Sequence, residues 1–79
     1  MFFVYILYSR SLKKYYVGQT NDLERRLVEH NSGQTIYSSR GMPWELIYQE
    51  EKSSRSDAIL VEMKIKKRGV GRYLKDIGI

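Results

Sequence analysis

The sequence predicts one small α+β domain with elements in the order strand, strand, helix, strand, helix and a short last helix. β-branched and aromatic runs at residues 2–8 and 15–19 predict the first strands. Cap-forming residues followed by glycines predict the helices. The chain has 79 residues. Because a chain of this length forms a small hydrophobic core, that core supplies only a few kcal/mol of net stability. Two independent domains are therefore excluded.

The first two strands are predicted to form a β-hairpin. Residues 2–8 (FFVYILY) and 15–19 (YYVGQ) are separated by a short polar stretch that contains lysines. If the turn is centred between residues 10 and 11, Tyr5 lies directly opposite Tyr16. Because the turn lacks an Asn-Gly or Asp-Gly signal, a one-residue bulge would alter this register. In the predicted register the two tyrosines share one face of the sheet.

A helix is predicted over residues 22–31. Asn21 followed three residues later by Glu24 resembles a capping box, and Gly33 supplies a stop. At about 100° per residue, Leu23 and Leu27 form the apolar stripe. Two polar side chains four residues apart run along the edge of that stripe and point near the sheet. These are Arg26 and His30, while Glu24, Arg25 and Glu29 are left to solvent.

The second half of the chain predicts a loop, a strand and a helix. Residues 34–43 contain one glycine, two serines and the single proline and are predicted to be a loop, and residues 44–50 (WELIYQE) return as the third strand. Trp44 and Tyr48 belong either to the core or to an exposed patch. The remaining elements are a helix over 57–67, capped by Ser54 or Ser56 and ended by Gly69, and a short helix over 71–77.

The predicted helix over 57–67 carries an ionisable residue in its apolar sector. With Ala58 at zero, Ile65 falls at about −20° and Glu62 at about 40° on a helical wheel. A carboxylate there needs a partner, a metal or a raised pKa. Pairing with Arg26 is one alternative, and metal binding is another.

Composition excludes several classes of protein. The chain has no cysteine, so disulfides, thiolate nucleophiles and Cys-ligated zinc are ruled out, and its single histidine cannot form a zinc cluster. A bound metal would therefore be a hard cation such as Mg²⁺ or Mn²⁺ on carboxylate and water oxygens. The apolar residues 1–8 lack the features of a signal peptide, and no apolar run approaches the roughly 20 residues needed to cross a bilayer. We expect a cytoplasmic protein.

Positive charge is concentrated in the last third of the chain. The net charge is +5, and residues 51–79 carry eight basic against four acidic residues. Such a cluster attracts polyanions, above all nucleic-acid phosphates, through counterion release. A solvated helix face is an equally ordinary reading, and no Trp or Phe accompanies the run to favour a membrane surface. The run over 63–75 comprises Lys64, Lys66, Lys67, Arg68, Arg72 and Lys75.

Five side chains are predicted to point at one region. Taken singly, each has a structural explanation as a packing residue or a surface ion pair. Taken together they fit phosphodiester hydrolysis, which needs an oxygen ligand for a hard cation, a group that accepts a proton from water and a fixed positive charge. The five are Tyr5, Tyr16, Arg26, His30 and Glu62.

These residues resemble the GIY-YIG nucleases. The triplets FVY and YVG, with their tyrosines eleven apart, are similar to the paired signature of that family, although Phe3 replaces the first glycine. Arg26, His30 and Glu62 match the family's helix arginine, its His or Tyr position and its metal-binding glutamate. The similarity runs from residue 2 to about 67. It is strongest to the small stand-alone bacterial branch, related to the nuclease domain of the excision-repair protein UvrC.

The resemblance implies a compact GIY-YIG fold, with a three-stranded antiparallel sheet flanked by helices, that cuts DNA with one divalent ion in repair or recombination. It implies that Glu62 ligates Mg²⁺ or Mn²⁺, that Arg26 stabilises the transition state, and that Tyr16 or Tyr5 handles the proton with His30.

The expected substrate is DNA, with RNA not excluded. Without an appended targeting domain, we expect structure-dependent or weakly specific cutting by a monomer or weak dimer, or recruitment by another protein. Arg40 and Lys66 are the phosphate contacts we expect first, with Gln19 a fainter candidate. The full set of expected nucleic-acid contacts is Arg40, Lys64, Lys66, Lys67 and Arg68.

Overall fold

A computed structural model describes residues 1–33 and 36–79. One three-stranded antiparallel sheet, in the order β2-β1-β3, lies between helices, which confirms the predicted α+β class. No helix within the described residues is long and apolar enough to cross a membrane. The elements are β1 (Phe2–Ser9), β2 (Lys14–Thr20), α1 (Leu23–His30), α2 (Ile36–Gly41), β3 (Trp44–Lys52), α3 (Arg55–Arg68) and α4 (Val70–Asp76).

The turn of the β1–β2 hairpin is centred one residue later in the chain than the sequence predicted. Residues 10–13 connect the strands, so Tyr5 pairs with Gly18 and Tyr16 pairs with Leu7. The predicted pairing of Tyr5 with Tyr16 is therefore wrong by two residues. Because side chains alternate with a period of two, this shift leaves both tyrosines on the same face. Their rings stack with centroids 6.2 Å apart.

Alternate residues of β1 enter two separate cores, one on each face of the sheet. Val4 and Ile6 are fully buried and belong to the core that α3 and α4 cover. Tyr5 and Leu7 are also buried, and they pack with Trp44 on the opposite face. The partly buried residues around that second core include Leu23 and Leu27 of α1, which confirms the predicted apolar stripe.

The N-terminus of α1 is capped by Asp22 rather than by the predicted Asn21. The Asp22 carboxylate accepts a hydrogen bond from the backbone N–H of Arg25 at 3.0 Å. The hydroxyl oxygen of Thr20 in turn accepts from the Asp22 N–H, which fixes the entry to the helix. Asp and Asn cap equally well, so propensity could not separate two adjacent candidates.

The predicted loop over 34–43 contains helix α2. Trp44 explains this difference, because its indole Nε1 donates a buried hydrogen bond of 2.9 Å to the backbone carbonyl of Ser38 in α2. Gly41 allows the close approach, since a Cβ there would meet the Trp44 ring. Tertiary packing thus stabilises a short helix that Ser and Gly would not favour alone. Residues 34 and 35 of the predicted loop lie outside the described residues.

The last three elements match their predictions with small shifts in their ends. β3 continues to Lys52, two residues beyond the predicted strand. Ser54 caps α3 by accepting from the Asp57 N–H at 3.1 Å, so this helix begins at Arg55 rather than at residue 57. Gly69, with φ +92°, ends it as predicted.

Candidate active site

Three of the predicted side chains meet above the middle of β1. The Arg26 Nε donates to the Tyr5 hydroxyl at 3.3 Å, and that hydroxyl lies 3.4 Å from the His30 Nε2. Arg26 and His30 are one helical turn apart on α1, so both side chains project toward the same point of the sheet. The prediction that these two residues point at the sheet is confirmed.

Tyr16 and Trp44 complete an aromatic cluster around His30. The Tyr16 ring meets the imidazole edge-on with centroids 4.4 Å apart, and the Trp44 ring lies 6.1 Å from it. Trp44 is 3% exposed and Tyr5 is 1% exposed, whereas Tyr16 is half-buried. The alternative of an exposed patch is therefore wrong for Trp44. Tyr16 is the phenol of the site that keeps contact with solvent.

Gly18 makes room for the Tyr5 ring. A Cβ built on Gly18 would lie 2.6 Å from the Tyr5 hydroxyl oxygen and 2.8 Å from the Tyr5 Cζ. Any side chain at this position of β2 would therefore displace the phenol that Arg26 and His30 contact. The glycine of the YVG triplet acts by its lack of a side chain.

Glu29 holds the guanidinium of Arg26 from the other side. The Arg26 Nη1 lies 3.3 Å from the Glu29 Oε1, and the Arg25 Nε lies 4.0 Å from the Glu29 Oε2. Glu29 is half-buried, so the expectation that it is left to solvent is wrong. The spacing of three residues from Arg26 is the sequence signal that could have indicated this contact.

Burial and the Arg26 charge shift two titrations in the site. Burial raises the pKa of Tyr5, and its hydrogen bond from Arg26 offsets this only in part. Burial, followed by the positive charge of Arg26, lowers the pKa of His30. At neutral pH the site therefore holds a neutral phenol and a neutral imidazole. Because Arg26 already donates to the phenol oxygen, the phenol proton can point at the His30 Nε2.

Glu62 is half-buried on α3, with a side chain 20% exposed, and Lys66 is its partner. The Lys66 Nζ lies 2.7 Å from the Glu62 Oε2. The alternative that Glu62 pairs with Arg26 is wrong, since Arg26 contacts Glu29 instead. After burial and the neighbouring tyrosine, the charge of Glu62 is a further cause that raises the pKa of Tyr5. No hydrogen bond or ion pair joins Glu62 to Tyr5, Arg26 or His30 among the described residues, so the structure does not bring it into contact with that cluster.

Glu62 offers a single carboxylate to a hard cation and belongs to no larger cluster of acidic or imidazole ligands among the described residues. No group of three or more His, Cys, Asp or Glu side chains that could hold a metal occurs among residues 1–33 and 36–79. Magnesium commonly uses one or two carboxylates and completes its shell with water and substrate phosphate. Glu62 supplies one such oxygen donor, and an ion bound there would replace the Lys66 ammonium that now lies 2.7 Å from its Oε2.

The predicted nucleic-acid contacts fall into separate groups. Lys66 lies on the Glu62 side of α3, and Arg40 lies at the end of α2, the helix that packs on Trp44. The other three predicted contacts lie at a cleft of about 430 Å³ between α3 and α4. They are Lys64, Lys67 and Arg68, and Arg68 is paired with Asp76 at 2.8 Å.

Comparison with known proteins identifies the family of the chain. A family model described as the GIY-YIG catalytic domain matches residues 1–70, and the chain belongs to this nuclease superfamily. The resemblance inferred from the FVY and YVG triplets is confirmed.

Similar curated proteins include UPF0213 proteins of bacteria and archaea. The chain is 36% identical to one from Streptococcus pneumoniae over 67 residues, covering 84% of this chain and 67% of the relative. It is 38% identical to one from Oceanobacillus iheyensis over 65 residues, covering 81% and 74%. It is 42% identical to one from Halobacterium salinarum over 53 residues, covering 66% and 69%. Their names state no activity, and no solved structure matches the chain.

Proposed function

We propose that the protein is a cytoplasmic, metal-dependent DNA endonuclease that hydrolyses phosphodiester bonds with structure-dependent or weak specificity, in repair or recombination. The observation that carries this proposal is the hydrogen-bonded group of Tyr5, Arg26 and His30 on a domain of the GIY-YIG family. A fixed cation, a neutral imidazole and phenols in one place are the groups that phosphoryl transfer to water requires.

Arg26 is proposed to stabilise the charge that develops on the phosphate. Its Nε is engaged by Tyr5 and its Nη1 by Glu29, so the plane of the guanidinium is held at two points. The hydrogen bond with Tyr5 raises the pKa of Arg26, which keeps the group charged. A cation held in place before the reaction costs little reorganisation when negative charge develops.

Tyr16 with His30 is proposed to handle the proton, and Tyr5 to orient them. Tyr5 is buried, has a raised pKa and already accepts from Arg26, so it retains its proton at neutral pH. Tyr16 reaches solvent and lies against the neutral imidazole of His30. These two are the groups that a water molecule and a phosphate can approach.

Glu62 is proposed to hold one Mg²⁺ or Mn²⁺ ion. When bound, such an ion supplies Lewis-acid polarisation of a phosphate oxygen and eases deprotonation of water. Lys66 and Arg40 are proposed to contact the flanking phosphates. With so few such contacts, binding should be weak and fall steeply with salt.

The test is incubation of the purified protein with supercoiled, linear and branched DNA, with Mg²⁺ or Mn²⁺ and with chelator. We expect metal-dependent nicking that falls by about 100-fold or more in Arg26→Ala and Glu62→Ala. Arg25→Ala is the matched control for Arg26, because Arg25 is the next residue of α1 and makes no hydrogen bond with Tyr5 among the described residues. Glu51→Ala removes an exposed carboxylate of β3 and is the control for Glu62.

Two outcomes contradict the proposal. Nicking that persists in Arg26→Ala and Glu62→Ala would locate the chemistry elsewhere or in a contaminant. No cutting of any DNA, with salt-sensitive binding retained by all variants, would leave a nucleic-acid-binding or partner-binding module on the same fold. In that case Lys64, Lys66, Lys67 and Arg68 would carry the interaction.

A further inference from the structure

The cleft between α3 and α4 has an apolar floor and a basic rim. Its volume of about 430 Å³ lies within the range of ligand-binding clefts. Tyr73 is 9% exposed and Ile77 is 42% exposed, and they line the cleft from α4. Lys64 and Lys67 line it from α3.

An exposed apolar stripe on α3 continues from this cleft. Leu60 is 63% exposed and Met63 is 60% exposed, which is unusual for two neighbouring large apolar residues of one helix face. Leu60 precedes Lys64 by four residues and Met63 precedes Lys67 by four, so all four share one face of α3. We call Leu60, Met63, Lys64, Lys67, Tyr73 and Ile77 the α3–α4 surface.

Some charged side chains at this surface form ion pairs, and others do not. Arg68 and Asp76 neutralise each other through two contacts of 2.8 and 3.1 Å. Lys64 and Lys67 have no ion-pair partner within residues 1–33 and 36–79, whereas Lys66 of the same helix is paired with Glu62. The surface therefore combines two unpaired cations with large apolar side chains.

We propose that the α3–α4 surface binds an acidic amphipathic helix of another protein. The apolar side chains of such a helix would enter the cleft and cover Leu60 and Met63, and its acidic side chains would pair with Lys64 and Lys67. The stretch from residue 60 to 67 spans about 11 Å of α3, which two turns of a partner helix match in length.

The observations favour a peptide over DNA and over a membrane. DNA phosphates would pair with the two lysines but would leave Leu60, Met63 and Ile77 uncovered. A protein helix that binds a bilayer inserts a protruding apolar face into it, whereas this surface is a concave cleft between two helices. On α3, Lys64 and Lys67 also lie about 140° or more around the helix from Glu62, so a partner here would leave the candidate active site accessible.

The test is selection of a phage-displayed random peptide library on the intact protein, with counter-selection on the Leu60→Gln/Met63→Gln variant. We expect enriched sequences that place Asp or Glu beside large apolar residues at helical spacing. Synthetic copies of these peptides should bind about tenfold more weakly to Leu60→Gln/Met63→Gln and to Lys64→Gln/Lys67→Gln than to the unmodified protein. Val28→Gln, which changes a 64% exposed residue of α1, is the matched control and should not weaken peptide binding.

The same variants separate this proposal from nucleic-acid and lipid binding. Leu60→Gln/Met63→Gln keeps every charge, so its affinity for a labelled DNA duplex should be unchanged while peptide binding is lost. Because both residues are exposed, thermal unfolding should show that this variant remains folded. The inference does not depend on phosphodiester cleavage, which the metal-dependent nicking assay reports separately.

Three results would overturn the proposal. The first is the absence of any enriched peptide after counter-selection. The second is enriched peptides that lack acidic residues, or that bind either double variant as tightly as they bind the unmodified protein. The third is binding to phosphatidylglycerol vesicles that Leu60→Gln/Met63→Gln abolishes, with no peptide selected, which would assign the surface to an anionic membrane.

Discussion

Gly18→Ala is expected to destabilise the protein by displacing Tyr5. The new methyl carbon would lie 2.6 Å from the Tyr5 hydroxyl oxygen, 2.8 Å from its Cζ and 3.2 Å from the Tyr16 Cε1. Tyr5 is 1% exposed and contacts Arg26 and His30, so its ring has no free volume to enter. Overpacking of this kind costs about 1–3 kcal/mol. The lower entropy of the unfolded Ala chain offsets about 0.4–1 kcal/mol of this, so the middle of the two ranges gives an expected net loss of about 1.3 kcal/mol.

Gly71→Ala is the matched control. A Cβ on Gly71 would meet nothing within 4 Å, and the residue lies inside α4. The same substitution should therefore stabilise the protein by about 0.4–1 kcal/mol. Urea unfolding followed by the fluorescence of Trp44 measures both, because Trp44 is the single tryptophan and is 3% exposed in the fold. For a domain of this size, each kcal/mol corresponds to about 4–8 °C in Tm.

A double-mutant cycle locates the clash. Tyr5→Leu removes the hydroxyl and Cζ that the Gly18 methyl would meet, so the two substitutions together should cost less than the sum of their separate costs. If Gly18→Ala is as stable as the unmodified protein, or as Gly71→Ala, then space exists above Gly18. In that case the position we assign to the Tyr5 hydroxyl is refuted.

Two further predictions concern the end of α1. Asn31→Ala should lower the free energy of unfolding by about 2 kcal/mol, because the Asn31 amide accepts from the Trp44 N–H at 2.7 Å and donates to the Trp44 carbonyl at 3.1 Å. Urea unfolding measures this loss. Equal losses in Asn31→Ala and in Asn21→Ala, which changes an exposed residue, would contradict the prediction. His30→Gln should flatten the pH dependence of the free energy of unfolding. The pKa of His30 in the fold lies below the 6.5 of the unfolded chain, so between these two pKa values the unfolded chain binds more protons than the folded protein. The stability of the unmodified protein therefore falls as the pH drops below about 6.5. The slope is at most about 1.4 kcal/mol per pH unit, and parallel stability curves of the two proteins would show that His30 contributes nothing.

Local sequence patterns were sufficient where the physics is local. The two strands of the hairpin follow from aromatic and β-branched runs, and α3 follows from a serine cap and a terminating glycine. The placement of Arg26 and His30 on one side of α1 follows from helical spacing alone, since residues four apart lie on the same face. The shared face of Tyr5 and Tyr16 survived a wrong register because the error was an even number of residues.

Only the tertiary structure decided the features that depend on distant neighbours. The hairpin turn is centred one residue later than predicted, and Leu12 of this turn packs against the core of Tyr5, Leu7 and Trp44. Helix α2 packs on Trp44, which follows it in the chain. From the sequence, Arg26 was one candidate partner of Glu62, and that pairing depends on how α1 and α3 are placed about the sheet. The observed Glu62–Lys66 pair has a spacing of four residues on one helix and was open to sequence reasoning. The sequence by itself determined which residues could take part in chemistry, because residue type and helical or strand period are local properties. Their hydrogen bonds, burial and shifted pKa values arise only when α1 packs on the face of the sheet that carries Tyr5.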